Sequence, residues 1–206
     1  DVPRLVRNIR HTVDELSSFS HIIDQFEFRK NLVLKELEAN NIPFEFDAIV
    51  GRGGLLKPIP GGVYEVNDAM LDDILHAMRT HACNLGCLIA SELAALLPGC
   101  RAFIADPGVV DELDEIARIT GSPLMPRITI WHALNQRAIA RRYAAEHDTR
   151  YEELDLIVCH LGGGISVGVH HHGKAVDVNN ALDGEGPFSP ERAGTLPAGQ
   201  LIDLCC

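Results

Sequence analysis

His160-Leu161-Gly162-Gly163-Gly164-Ile165-Ser166, at the centre of the segment Leu154 to Pro197, decides how the rest of this chain is read. Before it, Leu154-Asp155-Leu156-Ile157-Val158-Cys159 is short, apolar and β-branched, which predicts a buried strand. After it, Ile165, Val167 and Val169 alternate with Ser166, Gly168 and His170, which predicts a second strand with one face packed. His171-His172-Gly173-Lys174 supplies a turn, and Ala175-Val176-Asp177-Val178 a third strand. Three glycines in a row therefore sit at a tight strand-to-strand turn.

Glycine at such a turn can take φ > 0 and let the backbone come close to a ligand. Successive N–H groups can then point into one concavity and bind an anion such as phosphate. The loop is not a Walker loop, since no Gly-Lys-Ser/Thr follows. Nor is it a dinucleotide fingerprint, since the spacing is G-x-G-x-x-x-G and the next element reads as a strand. A plain hairpin with a glycine bulge fits the triplet equally well.

The surrounding residues point further. His160-x-Gly162-x-Gly164-x-Ser166-Val167-x-Val169-x-x-x-Gly173 resembles the second signature of the acetate kinase family. Its continuation, from Asp177-Val178-Asn179-Asn180 through Asp183-Gly184-Glu185-Gly186-Pro187-Phe188-Ser189-Pro190-Glu191-Arg192-Ala193-Gly194, looks like the butyrate kinase branch. The resemblance covers nearly all 206 residues. It implies an α/β fold of two ribonuclease-H-like (actin-like ATPase) domains clasping a nucleotide, both incomplete here. Residues 1–148 would hold the first, without its opening strands, and 149–206 the start of the second. The family's first strand carries an Asn-x-Gly-Ser phosphate loop, and nothing between Asp1 and His11 matches it. The expectation is that the N-terminus has been lost and that the sequence stops early, two turns into a helix that begins at Ala198.

The bulk numbers are those of an ordinary globular protein. Of the residues, 46% are hydrophobic and 23% charged, enough for one large domain or two small ones. The formal charge of −11 leaves no basic nucleic-acid footprint. An acidic protein that binds an anionic nucleotide must gather positive potential locally, through arginines, backbone amides and a metal ion. The six cysteines, Cys83, Cys87, Cys100, Cys159, Cys205 and Cys206, have no paired zinc spacing. They read as reduced, mostly buried thiols of a cytoplasmic protein. No apolar run is long enough to span a membrane.

Along the chain, Thr12 to Asn40 predicts one or two helices, with Thr12-x-x-Glu15 as a capping box and Pro43 beyond the end. Phe46 to Val50 predicts a strand running into the loop Gly51-Arg52-Gly53-Gly54, and crevices outside strand ends are where open α/β sheets place ligands. Asp68–Met78, capped by Asn67, and Asn84–Leu97 predict helices. Arg101–Ala105 predicts a strand that ends at Asp106-Pro107-Gly108, and Val109–Ile119 a further helix. A helix opening at Thr129 and running to Glu146 puts His132 near its N-terminus, where the dipole and free N–H groups favour anions. Arg141-Arg142 reads as a solvated face, and His170-His171-His172 as exposed.

The residues alone leave alternatives: Arg52 as a solvated arginine, Asp106 as a turn aspartate before proline, His132 as a packed histidine beside Trp131. The resemblance implies roles for them. Arg52 and Arg192 would hold the substrate carboxylate and the transferring phosphoryl group. Family arginines lie a few residues earlier in the Arg52 loop. His132 falls where the family carries a transition-state histidine, although the Gly-Thr-Ser that follows it there is Ala133-Leu134-Asn135 here. Asp106 falls on a catalytic acid and would position Mg²⁺, directly or through water. His160, Gly162, Gly163 and Gly164 would cradle the nucleotide phosphates, and Phe188 could wall an acyl pocket. The implied reaction is butanoate + ATP ⇌ butanoyl phosphate + ADP, with Mg²⁺ as cofactor and a homo-oligomer as the assembly. A kinase preferring branched acids such as 2-methylpropanoate, and a non-catalytic fragment of the same fold, are the alternatives.

Overall fold

Strand β3 (Arg101–Ala105) is the middle of a three-stranded sheet, flanked in parallel by β1 (Ala48–Arg52) and antiparallel by β2 (Val63–Glu65). The computed structural model that shows this describes residues 2–77 and 79–206. Ile104 of β3 is fully buried and anchors a core of Leu56, Ile74, Cys87 and Val109. Helices α3 (Asp68–Leu75) and α4 (Asn84–Ala95) lie between β1 and β3 in the chain, and α4 packs against both strands. Asn67 caps α3 by accepting from the Met70 N–H at 3.0 Å. The expected extension of α3 to Met78 falls partly outside the described residues. The predicted strand at 46–50 is shifted by two residues, so Gly51 and Arg52 belong to β1 rather than to a loop. Before this sheet, Thr12 closes a capping box with Glu15 on the short helix α1 (Val13–Ser17), and α2 (Phe26–Ala39) follows.

Three further strands, β4 (Asp155–Leu161), β5 (Ile165–His171) and β6 (Lys174–Val178), form an antiparallel meander. His172 (φ 46°) and Gly173 (φ 83°) make the β5–β6 connection, the two-residue left-handed turn that suits a twisted hairpin. Helix α5 (Ala133–Glu146) joins the two sheets in sequence and lies against β4. Its start is at Ala133, four residues later than the pattern predicts, because Thr129, Ile130 and Trp131 are buried in extended backbone tied to its neighbours. The Trp131 N–H donates to Gly108 O at 2.9 Å, and the Ala181 N–H to Ile130 O at 2.7 Å.

Several expectations are corrected. Residues 109–119 do not form a helix. Val110 bridges Ile59 in parallel, the Asp111 N–H donates to Ile59 O, and the Asp114 N–H to Val176 O. Those neighbours satisfy the backbone groups that a helix would have used internally, and only Glu115–Arg118 forms a short 3₁₀ turn. β4 is an edge strand and is not buried: Ile157 and Leu161 are 73% and 75% exposed. One face of β5 is packed as expected, and it is the polar one, with Ser166 and His170 fully buried, so of His170-His171-His172, all read as exposed, only His171 and His172 are. Of the cysteines, only Cys87 is buried, its thiol pushed up to about 11 by desolvation. Cys83 and Cys100 are half-buried, and Cys159, Cys205 and Cys206 are exposed; all six are free. No helix among the described residues is long and apolar enough to cross a membrane.

A buried ion cluster ties the two sheets together. From α5, Arg137 Nε lies 3.0 Å from Asp106 Oδ1 and Nη1 lies 2.8 Å from Glu112 Oε2; Nη1 also donates to Gly173 O at 3.3 Å. All three charged side chains are more than 90% buried. Removing one partner leaves charge uncompensated in the interior, which typically costs about 3–5 kcal/mol. Arg137→Ala is therefore expected to lower the urea midpoint by the equivalent of several kcal/mol, read by far-UV circular dichroism.

Candidate active site

One cleft of about 320 Å³ opens between the end of β3, the start of α5 and the glycine turn. Arg52, Asp106, His132, His160, Gly163, Gly164 and Arg192 all line it. Seven of the eight residues expected to bind or act on substrate and nucleotide, leaving aside Phe188 as acyl-pocket wall, thus converge from five separate segments. Gly162 alone stays off the wall, behind His160 in the same turn.

The turn is glycine for reasons of space rather than dihedral angle. Neither Gly162, Gly163 nor Gly164 has positive φ, contrary to the expectation above. A Cβ on Gly164 would overlap Arg192 Nη1 and come within 3.3 Å of His132 Cε1. A Cβ on Gly163 would lie 2.6 Å from a Glu191 carboxylate oxygen. The bare backbone thus lets Glu191 and Arg192 close over the turn. Ser189 Oγ donates to Gly163 O at 2.6 Å, and the Glu191 N–H donates to the same oxygen at 3.2 Å, so the Pro187–Pro197 segment is pinned to the turn. Asn179 holds the next strand, accepting from the Val167 N–H at 2.7 Å and donating to Ile165 O at 3.1 Å.

His132 occupies the N-cap position of α5 and stacks flat on His160, with ring centroids 3.7 Å apart and planes 5° apart. Its pKa is pushed down to about 4, first by burial and then by the positive neighbourhood of His160, Arg192 and Arg52. It is therefore a neutral imidazole at neutral pH. His160 is lowered as well, by burial and by Arg52, and its Nδ1 sits 2.7 Å from Asn135 Nδ2.

Asp106 has φ 37°, a left-handed conformation costly for a residue with a Cβ. It is held there by its own hydrogen bonds: its N–H donates to Gly62 O, and Oδ1 accepts from the Gly62 N–H, both at 2.8 Å. Oδ1 also faces Arg137, and Oδ2 accepts from Arg141 Nη1 at 3.0 Å. Arg141 and Arg142 are both exposed, as expected, but Arg141 is also an ion-pair partner of the buried Asp106. Two arginines already neutralise this carboxylate, so direct ligation of a divalent ion does not fit the arrangement. One lone pair on Oδ2 stays free, which fits a bound water.

Sequence reasoning missed His81, Cys83 and Glu191, which share the cleft wall. His81 precedes α4 in an irregular stretch with no pattern to mark it; burial lowers its pKa, with Arg192 and Arg52 adding to the effect. The apolar part of the wall comes from Leu55, Ile130, Leu134 and Leu182. Phe188 is 81% exposed and does not line the cleft. His171 and His172, with Asp155, sit exposed at the far end of the β5–β6 hairpin.

Comparison with known proteins gives this geometry its context. The chain is 78% identical over 205 residues to a probable butyrate kinase of Bacteroides thetaiotaomicron, across 100% of this chain and 58% of that protein. Over its whole length, this chain is a homologue of proteins named butyrate kinase. A probable butyrate kinase of Phocaeicola vulgatus is 60% identical over 195 residues, covering 95% of this chain and 55% of that one. Butyrate kinase 2 of Clostridium acetobutylicum is 54% identical over 203 residues, covering 98% and 57%. The chain spans little more than half the length of these curated relatives. No protein-family model matches it. Among solved structures, Porphyromonas gingivalis acetate kinase superposes with a TM-score of 0.67 at 20% identity, over 90% of this chain and 49% of that one. A propionate kinase from Francisella tularensis gives 0.62 at 17% identity, over 84% and 47%. The fold is that of these kinases, the actin-like ATPase fold.

The histidines make stability depend on pH. His132 and His170 both have folded-state values near 4, each lowered chiefly by burial, against about 6.5 for an unfolded histidine. The unfolded chain takes up these protons at higher pH than the folded one. Their contribution to stability is complete above pH 6.5 and is lost as pH falls toward 4. Urea midpoints measured from pH 7 to 4.5 should fall across that window, and should fall less steeply in His170→Asn.

Proposed function

We propose that this chain carries part of the catalytic apparatus of an ATP-dependent short-chain carboxylate kinase acting on butanoate: butanoate + ATP ⇌ butanoyl phosphate + ADP. The observation that carries the reading is the meeting of two arginines, a neutral histidine and a close-packed glycine turn in one cleft with an apolar wall. The names and the 78% identity of the curated relatives favour butanoate over a branched acid.

A carboxylate nucleophile is already anionic, so no general base has to activate it. The task reduces to positioning and charge neutralisation around an in-line phosphoryl transfer. Arg192 and Arg52 would clamp the carboxylate and the phosphoryl oxygens, since a planar guanidinium fork matches both. His132, neutral and aimed into the cleft, would donate to an equatorial oxygen where negative charge is concentrated. Gly163 and Gly164 would let phosphate approach the backbone, with His160 beside them and Gly162 completing the turn. Leu55, Ile130, Leu134 and Leu182, rather than Phe188, would receive the acyl chain.

Mg²⁺, when bound with the nucleotide, would neutralise phosphate charge. Asp106 would reach it through a water on Oδ2, in keeping with the two arginines that occupy its other positions. We also assign residues 1–148 to the first domain and 149–206 to the second, with the division just after α5.

The test is acyl phosphate formation, trapped as the hydroxamate, from ATP, Mg²⁺ and butanoate, with acetate and 2-methylpropanoate in parallel. It would be run on this chain and on the product of its full coding sequence. Product with butanoate, and a loss of about 10²-fold or more in folded Arg192→Ala, is the expected result. Near-normal turnover in that variant would remove Arg192 from the mechanism, and no product from either folded protein would remove the kinase reading.

A further inference from the structure

Behind His132, away from the cleft, lies a chain of buried polar side chains for which the proposed chemistry has no use. It runs Tyr151, His170, Gln136, Ser166, His132, through the core between α5 and β5. Gln136, Ser166 and His170 are completely buried, and Tyr151 is 2% exposed. The direction of every hydrogen bond in it can be worked out.

Gln136 Nε2 lies 3.0 Å from the Ser166 backbone carbonyl and 2.8 Å from Ser166 Oγ. A carbonyl only accepts, so the amide NH₂ faces Ser166 and Oε1 faces His170. Oε1 also only accepts, so His170 Nε2, at 2.9 Å, carries a proton. His170 is neutral, since burial, followed by nearby Arg137, pushes it down to about 4. Its Nδ1 is therefore bare and accepts from the Tyr151 hydroxyl at 2.5 Å. That phenol keeps its proton, raised to about 12 chiefly by burial.

At the other end, Ser166 Oγ receives Gln136 Nε2–H at 2.8 Å and the His132 backbone N–H at 3.4 Å. Two donors fill its two lone pairs, so its remaining contact, to His132 Nδ1 at 2.9 Å, must be one in which the hydroxyl donates. His132 Nδ1 is thus an acceptor, and in a neutral ring the proton sits on Nε2. Nε2 has no hydrogen-bond partner among the described residues, and the ring lines the cleft.

We propose that Tyr151, His170, Gln136 and Ser166 form a one-way hydrogen-bond relay that locks His132 as the Nε2–H tautomer and so fixes a donor in the cleft. The four are positioning residues. Gly168 supports the relay independently: a Cβ there would lie 2.5 Å from Gln136 Oε1 and 3.0 Å from His170 Nε2, inside the middle link. Because Gln136 is wholly enclosed, it could not step aside. This inference rests on the reading of His132 as the group facing the phosphoryl oxygens.

The test is ¹⁵N–¹H long-range correlation NMR of histidine-labelled protein near pH 7, with the His132 ring assigned by its loss in His132→Asn. A single Nε2–H tautomer is expected in the native protein. In Ser166→Ala and Gln136→Leu the Nδ1–H form should enter, drawing the two ring nitrogen resonances toward each other, and Gly168→Ala should do the same from the middle of the chain. An Nδ1–H ring in the native protein overturns the relay. So do unchanged ring resonances in folded Ser166→Ala and Gln136→Leu. Hydroxamate assays of His132→Asn address the other reading separately: full activity there, beside a locked native tautomer, would leave the relay standing and remove His132 from phosphoryl transfer.

Discussion

The buried carboxylate of Asp106, clasped by Arg137 and Arg141 of α5, is the constraint on which the arrangement depends. It sits at the end of β3, in a left-handed conformation that an aspartate would not keep by itself, and the two hydrogen bonds with Gly62 hold that conformation. Arg137 continues the contact to Glu112, whose carboxylate also accepts from the Gly61 and Ala175 N–H groups at 2.9 and 3.2 Å. A single guanidinium therefore links the first sheet, the irregular 106–132 segment and the second sheet. Burying these charges is costly in itself, and hydrophobic replacement of such clusters is often neutral or better for stability. What the cluster supplies here is register: it fixes the azimuth of α5, and with it the ring of His132 at the helix start.

The second sheet shows how polar residues can occupy a core position when every donor and acceptor is paired. On β5, the apolar side chains Ile165, Val167 and Val169 are half-buried or exposed, while Ser166 and His170 are fully enclosed. An unpaired buried hydroxyl or imidazole would be expensive, but each of these has at least two partners from α5, the backbone or Tyr151. Trp131 follows the same rule, its indole N–H donating to Val110 O at 2.7 Å while the ring packs on Leu113 and Val178.

Most of the strand-and-helix order was legible because it rests on local chemistry: the Thr12 and Asn67 caps, the short apolar run of β3, the β-branched run of β4, the His172-Gly173 turn. The candidate site was legible only through resemblance, since no spacing rule brings Arg52, His132 and Arg192 together across 140 positions of chain. Three points that the pattern misjudged or left undecided share one physical cause. Residues 109–119, the face of β5 and the exposure of β4 are all set by what lies opposite in three dimensions. A helical pattern at Val109–Ile119 lost to neighbours that took its backbone bonds. Alternation in β5 showed that one face packs but not which, and the polar side chains of α5 opposite it decided for the polar one. The ion pair of the exposed Arg141 went unseen because its partner lies 35 residues away, at the tip of another strand.

Along α5, the residues that matter recur at His132, Gln136, Arg137 and Arg141, four, one and four positions apart. At 100° per residue they fall at about 0°, 40°, 140° and 180°, so together they wrap half the circumference of the helix. The helix is thus keyed around half its girth, through Gln136 to β5 and through Arg137 and Arg141 to the end of β3. An extra residue inserted within it would rotate Arg141 away from Asp106 while leaving His132 in place, whereas the mostly exposed stretch 119–126, which holds none of these contacts, could change length without disturbing the helix. Inheritance of this site should therefore tolerate length variation within residues 119–126 and forbid it between 132 and 141.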